Sequence, residues 1–62
     1  MSIKYKLIGL TEKAFNYLPD NEVRDLYMMI DDYIEYVNTK LFRLSDGELC
    51  HKDFLIIETI KN

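Results

Sequence analysis

Val23, Leu26, Tyr27, Ile30, Ile34, Val37, Leu41 and Leu44 recur at spacings of three, four and seven, which lays them along one stripe of a helix drawn from 21 to 44. At about 1.5 Å per residue that helix spans roughly 36 Å. In a chain of 62 residues it has to be covered by other segments or by a second copy. Asp20 or Asn21 occupies its N-cap and Glu22 its first turn, where the helix dipole favours a carboxylate. Ahead of it, Thr11 can cap a short helix over 11–18 that Pro19 stops, because the residue before a proline leaves the helical region. Beyond it, Ser45 and Glu48 have capping-box spacing. A C-terminal helix over 46–61 would then gather Leu49, Cys50, Phe54, Ile56, Ile57 and Ile60 on one face. Two residues disobey that face: Asp53 falls on its apolar side and Leu55 on its polar side.

The two ends of the chain also carry a period of two. Ile3, Tyr5 and Leu7 alternate with Lys4 and Lys6, and Gly9 would cost a helix interior about 1 kcal/mol. Residues 2–8 are therefore expected to form an extended N-terminal arm. Together these patterns predict an all-α fold in a single domain, an antiparallel helical hairpin braced at one end by the short helix. The alternative is α+β, with strands at about 2–8 and 54–60. Ile-Ile-Glu-Thr-Ile is rich in β-branched residues, and each of these strands would need the other as its partner.

Length sharpens the problem of cover. A chain this short buries only about 60% of the surface its unfolded form exposes. Cys50 is the sole cysteine and His51 the sole histidine, so neither an internal disulfide nor a structural zinc site can brace the core. Self-association or docking on another protein remains. A hydrophobic fraction of 48% with five Tyr and three Phe marks a folding chain. The opening Met-Ser-Ile-Lys-Tyr-Lys lacks the apolar run of a signal peptide, no apolar stretch approaches a membrane span, and the unpaired Cys fits the cytosol. A cytoplasmic protein with no membrane partner is expected. Six Lys against two Arg, with seven Ile and four Asn, point to an AT-rich bacterial or phage gene.

Little in the chain carries chemistry. Adjacent residues on a helix point about 100° apart, so Cys50 and His51 would not face each other as nucleophile and base. Asp31 and Asp32 stand at helical spacing from Glu35, but no His joins them to make a metal site. Two glycines cannot build a phosphate-binding loop. The expectation is a non-catalytic protein with no cofactor and no metal.

Charge is more telling. The chain carries −3 overall, yet residues 20–36 hold Asp20, Glu22, Asp25, Asp31, Asp32 and Glu35 against Arg24 alone. Such a block repels phosphate, so direct nucleic-acid binding is not expected, and it complements a basic protein surface. On the long helix Asp25, Asp32 and Glu35, with Asp31 at the edge, would line the side opposite the apolar stripe. Met28 sits among them, and Tyr33 and Tyr36, with Met29, widen the apolar stripe on its other flank. The candidate partner-binding residues are Asp25, Met28, Asp31, Asp32, Glu35 and Tyr36. The function expected is that of a small acidic regulator or inhibitor of a larger host or cognate protein. Its most concrete form is an antirepressor covering a basic, nucleic-acid-binding surface. A homodimer is expected and is compatible with that function, since a dimer could present two acidic faces. Three other readings stand beside it: a self-assembling helical dimer with a structural or gene-expression-modulating role, a ribbon-helix-helix DNA binder presenting Lys4 and Lys6, and an immunity or antitoxin-type inhibitor.

Leu18-Pro19-Asp20-Asn21-Glu22-Val23, followed by Tyr27 and Asp31, is similar to a stretch of the Hha/YmoA family of small helical gene-expression modulators. In that family a Leu-Ser-Asp-Asn-Glu segment enters a helix bearing a Tyr and then Asp-His-Arg. Here Asp32 and Tyr33 stand in place of that His and Arg, and the family's first helix has no counterpart. The resemblance covers about 14 residues and implies a partner of a nucleoid-associated repressor that does not itself bind DNA.

Overall fold

The computed structural model describes residues 3–61, so Ser2, at the start of the expected arm, lies outside the described residues. The chain runs β1 (Ile3–Leu10), α1 (Glu12–Tyr17), α2 (Asp20–Met28), β2 (Tyr33–Asn38), β3 (Leu41–Arg43), β4 (Leu49–His51), a 3-10 turn (Lys52–Phe54) and β5 (Leu55–Lys61). The strands form one antiparallel sheet in the order β4-β3-β2-β1-β5. The all-α hairpin expected from the helical spacing is therefore wrong, and the molecule is mainly β-sheet with two short helices. The ends named in the α+β alternative are occupied by β1 and β5, which pair from Ile3↔Lys61 to Leu10↔Leu55.

The expected helix over 21–44 fails after its second turn. α2 begins behind Pro19, whose side chain supplies no capping bond, and closes with the N–H of Met29 donating to Leu26 O and that of Ile30 to Tyr27 O. Asp31 then takes φ +78°, a left-handed conformation that short polar residues tolerate and that no helix can propagate through. From Tyr33 the β-branched and aromatic side chains suit a pleated surface better than a helix. The turn into β3 is built by Asn38, whose Oδ1 accepts from the N–H groups of Lys40 at 2.9 Å and Leu41 at 3.1 Å.

The expected helix over 46–61 is wrong from its first residue. Ser45-Asp46-Gly47-Glu48 makes a hairpin turn, not a capping box. Gly47 sits at φ +92°, its N–H donates to Leu44 O at 2.9 Å, and Asp46 Oδ1 takes the N–H of Glu48 at 2.9 Å. An Asp-Gly pair between apolar runs is a strong hairpin signal. The two residues that disobeyed the helical face find their reasons here. Leu55 is buried in the core, and Asp53 lies at the surface between Lys13 and His51.

Short connections curl the sheet. In a flat sheet β4 and β5 would lie about 19 Å apart, four spacings of about 4.8 Å. Three residues link His51 to Leu55, and the four Cα–Cα steps reach at most about 15 Å. The sheet therefore bends toward a half-open barrel, and two backbone bonds pin the crossing: Lys52 N–H to Lys40 O at 2.8 Å and Thr11 N–H to Phe54 O at 3.2 Å. On the concave side Leu7, Leu10, Ile34, Phe42, Leu44 and Leu55 meet Ala14 of α1 and Leu26 of α2. Burying each such leucine contributes about 1.5–3 kcal/mol. The other side of the sheet presents Lys4, Tyr33, Glu35, Arg43, Ile56 and Glu58 to solvent. Both edges of β1 are taken, by β2 and β5, so it cannot supply the intermolecular ribbon of a ribbon-helix-helix dimer. Among the described residues, no helix is long and apolar enough to cross a membrane.

Candidate functional site

The six residues singled out in the sequence are dispersed, because the long helix that would have aligned them does not exist. Asp25 and Met28 lie on α2, and Met28 is 78% exposed. Asp31 and Asp32 lie in the turn after α2 and are engaged internally. The Asp31 carboxylate stands 3.8 Å from Lys6 Nζ, and Asp32 Oδ2 accepts from Ser45 Oγ at 2.9 Å. Glu35, on β2, is 3.3 Å from the Arg43 guanidinium across the strand pair. Tyr36 packs its ring against Tyr5 and Phe42, with centroids 6.2 and 5.8 Å away. A continuous acidic helix face is thus replaced by two carboxylates paired with separate cations, a third hydrogen-bonded to Ser45, and an aromatic trio.

A different group of acids does come together. A groove of about 200 Å³ opens between α2 and the β3–β4 hairpin. Leu18, Leu26, Met29, Leu44, Cys50 and Phe54 contribute its apolar lining, while Glu22, Asp25, Asp46 and Glu48 contribute four carboxylates. His51 is the one potentially cationic side chain in the lining. Local folding explains the convergence. Glu22 and Asp25 are three apart on α2 and share a face, and the tight Gly47 turn carries Asp46 and Glu48 to the facing lip. Asp25 alone of the expected residues belongs to this groove. Glu22, Asp46 and Glu48 were missed, and the signal for the last two was the Asp-Gly turn.

Cys50 reports the electrostatics of the groove. Half-burial pushes its thiol pKa up, the Glu22 carboxylate pushes it further, and a backbone hydrogen bond with His51 only partly opposes them. A thiol held protonated in this way is a poor nucleophile at neutral pH. His51 does not activate it, because its Nδ1 accepts the N–H of Asp53 at 3.1 Å. Nor do the acids converge on an ion: among the described residues no group of three or more His, Cys, Asp and Glu is placed to hold a metal. The groove is smaller than the roughly 300–1,000 Å³ of small-molecule sites. Its size suits one or two side chains of another protein.

Comparison of the chain with protein-family models, with curated proteins and with solved structures finds no match. The likeness to the Hha/YmoA family also implied a helical protein, and the sheet contradicts that implication.

Proposed function

We propose that this chain is a non-catalytic binding protein that regulates or inhibits a larger protein by holding a basic, apolar-bearing segment of it. The supporting observation is the groove: an apolar floor edged by Glu22, Asp25, Asp46 and Glu48. A lysine or arginine side chain matches it on both counts, laying its methylene stem on the floor and its charge against the rim. Basic surfaces of this kind serve nucleic-acid binding. The concrete form of the reading is therefore an antirepressor or inhibitor that competes with phosphate for such a surface. The single free thiol fits a cytoplasmic setting.

The experiment is capture of partners on the immobilised chain and on an Asp25→Lys/Glu48→Lys variant with unchanged circular dichroism. The reading predicts a basic partner that the variant loses and that added nucleic acid displaces. A partner retained equally by the variant, or indifferent to nucleic acid, contradicts it.

A further inference from the structure

β5 closes one side of the sheet and, among the described residues, pairs with β1 alone. The direction of its backbone groups follows from one bond. Thr11 N–H donates to Phe54 O at 3.2 Å, so that carbonyl points toward β1. By the alternation of an antiparallel ladder, the N–H and C=O groups of Ile56, Glu58 and Ile60 point the same way. Those of Leu55, Ile57 and Thr59 point outward, along the free edge.

Long edge strands are usually guarded by a proline, a bulge or an inward charge. β5 has seven residues and no proline, and the irregularity in its pairing lies on β1, between Leu7 and Gly9. The opposite edge, β4, has only three residues. We propose that the β5 edge is the surface along which two copies of the chain associate, pairing antiparallel about a two-fold axis into one continuous sheet.

Charge selects both the surface and the register. Each copy carries −3, and the groove concentrates four carboxylates, so two copies repel each other there. Leu55 to Ile60 carry one charge, Glu58, which sits across from Lys6 on β1. This is the nearly neutral side, and none of its residues lines the groove. A two-fold axis at Glu58 would oppose two carboxylates at about 4.5 Å between Cα atoms, which is unfavourable. Centred on Ile57, the pairing sets the half-buried Ile57 against its own copy on the core side. On the open side it lays the exposed Ile56 along the stem of Glu58. Leu55 and Thr59 then exchange backbone bonds across the axis. A second β5 satisfies every term, because it is the same strand with the same outward groups.

The test is sedimentation equilibrium of the full chain, with Thr59→Pro and Thr59→Val. Thr59→Pro deletes an outward N–H while leaving the bonds to β1 intact, and Thr59→Val keeps that N–H. The wild type and Thr59→Val are expected to be dimeric at high micromolar concentration, with Thr59→Pro weaker by about tenfold or more. Should circular dichroism show Thr59→Pro unfolded, Ile56→Glu, which sets a second carboxylate against Glu58 of the other copy, is read in its place with the same expectation. A monomeric wild type, or a folded Thr59→Pro that remains fully dimeric, overturns the proposal. Salt separates this surface from the groove. Screening leaves the dimer intact or tightens it, whereas it weakens capture of a basic segment.

Discussion

The N–H of Asp31 donates to the carbonyl of Leu7 at 2.7 Å, and the N–H of Leu7 donates to the carbonyl of Asp32 at 3.0 Å. This reciprocal pair clasps the turn after α2 onto the middle of β1. It carries the register on from Tyr5↔Ile34 and Lys6↔Tyr33. The chain needs Asp31 at φ +78° to make the reversal, so the clasp and the end of the helix are one event. It also anchors the C-terminal end of α2, which supplies one wall of the groove.

Left-handed geometry at Asp31 predicts an inverted tolerance there. Asp31→Val should lose about 1–2 kcal/mol in urea denaturation, because a β-branched residue resists this conformation. Asp31→Gly should be neutral or slightly stabilising. The Lys6–Asp31 pair at 3.8 Å is largely exposed and contributes little. Equal losses in both variants would move the cause from the backbone to the carboxylate.

The two glycines should respond oppositely to alanine. Gly47, at φ +92°, shapes the hairpin lip, and Gly47→Ala should cost about 1 kcal/mol. At Gly9 an added methyl would meet Ile56 Cδ1 at 3.6 Å, an ordinary contact. Gly9→Ala should therefore gain about 0.4–1 kcal/mol by restricting the unfolded chain. Thermal melts of the two variants, read against the wild type, check both signs.

Leu7 is 0% exposed where β1 meets both helices' side of the sheet. Leu7→Ala should cost about 2–5 kcal/mol. A domain this small has little more than that in reserve. Loss of a cooperative melt, or a fall in denaturation midpoint of that size, is the expected readout.

Acid should loosen the brace between α1 and the 3-10 turn. A hydrogen bond from Lys13 Nζ at 3.3 Å, with the charges of His51, Lys13 and Lys52, lowers the pKa of the Asp53 carboxyl. A carboxyl with a lowered folded pKa stabilises above its unfolded pKa of about 3.9. It loses that contribution as pH falls through the lower, folded value. Asp53→Asn should thus flatten the acid limb of a melting-temperature profile and leave the rest parallel to wild type. The backbone bond from Asp53 N–H to His51 Nδ1 at 3.1 Å is retained in that variant.

Some of this architecture was legible in the residues. Thr11 and Pro19 bracket α1, and the alternation of Ile3, Tyr5 and Leu7 belongs to a strand. The middle of the chain was not legible, for a physical reason. Its two reversals, at Asp31-Asp32 and Asn38-Thr39-Lys40, use neither glycine nor proline, so nothing punctuated a run that also fits a helical repeat. Tyr33, Ile34, Tyr36 and Val37 fit both periods over so few residues, and tertiary pairing decided for the strand. In the candidate site, Asp25 lies with Glu22, Asp46 and Glu48 and apart from Asp31, Asp32 and Glu35, the carboxylates that helical spacing sets beside it. Glu22 with Asp46 and Glu48 meet only when the hairpin folds back on α2, a proximity that helical spacing cannot reveal.

The most direct test of the account is an NMR titration of the isotopically labelled protein with a short peptide alternating arginine and leucine. The account predicts shifts confined to Glu22, Asp25, Met29, Asp46, Glu48 and Cys50. They should weaken with salt, be lost in Glu22→Lys/Asp25→Lys and survive in Asp32→Asn. Shifts centred on Lys4, Tyr33, Arg43 and Glu58 of the open sheet face, or none with either a basic or an acidic peptide, would contradict it.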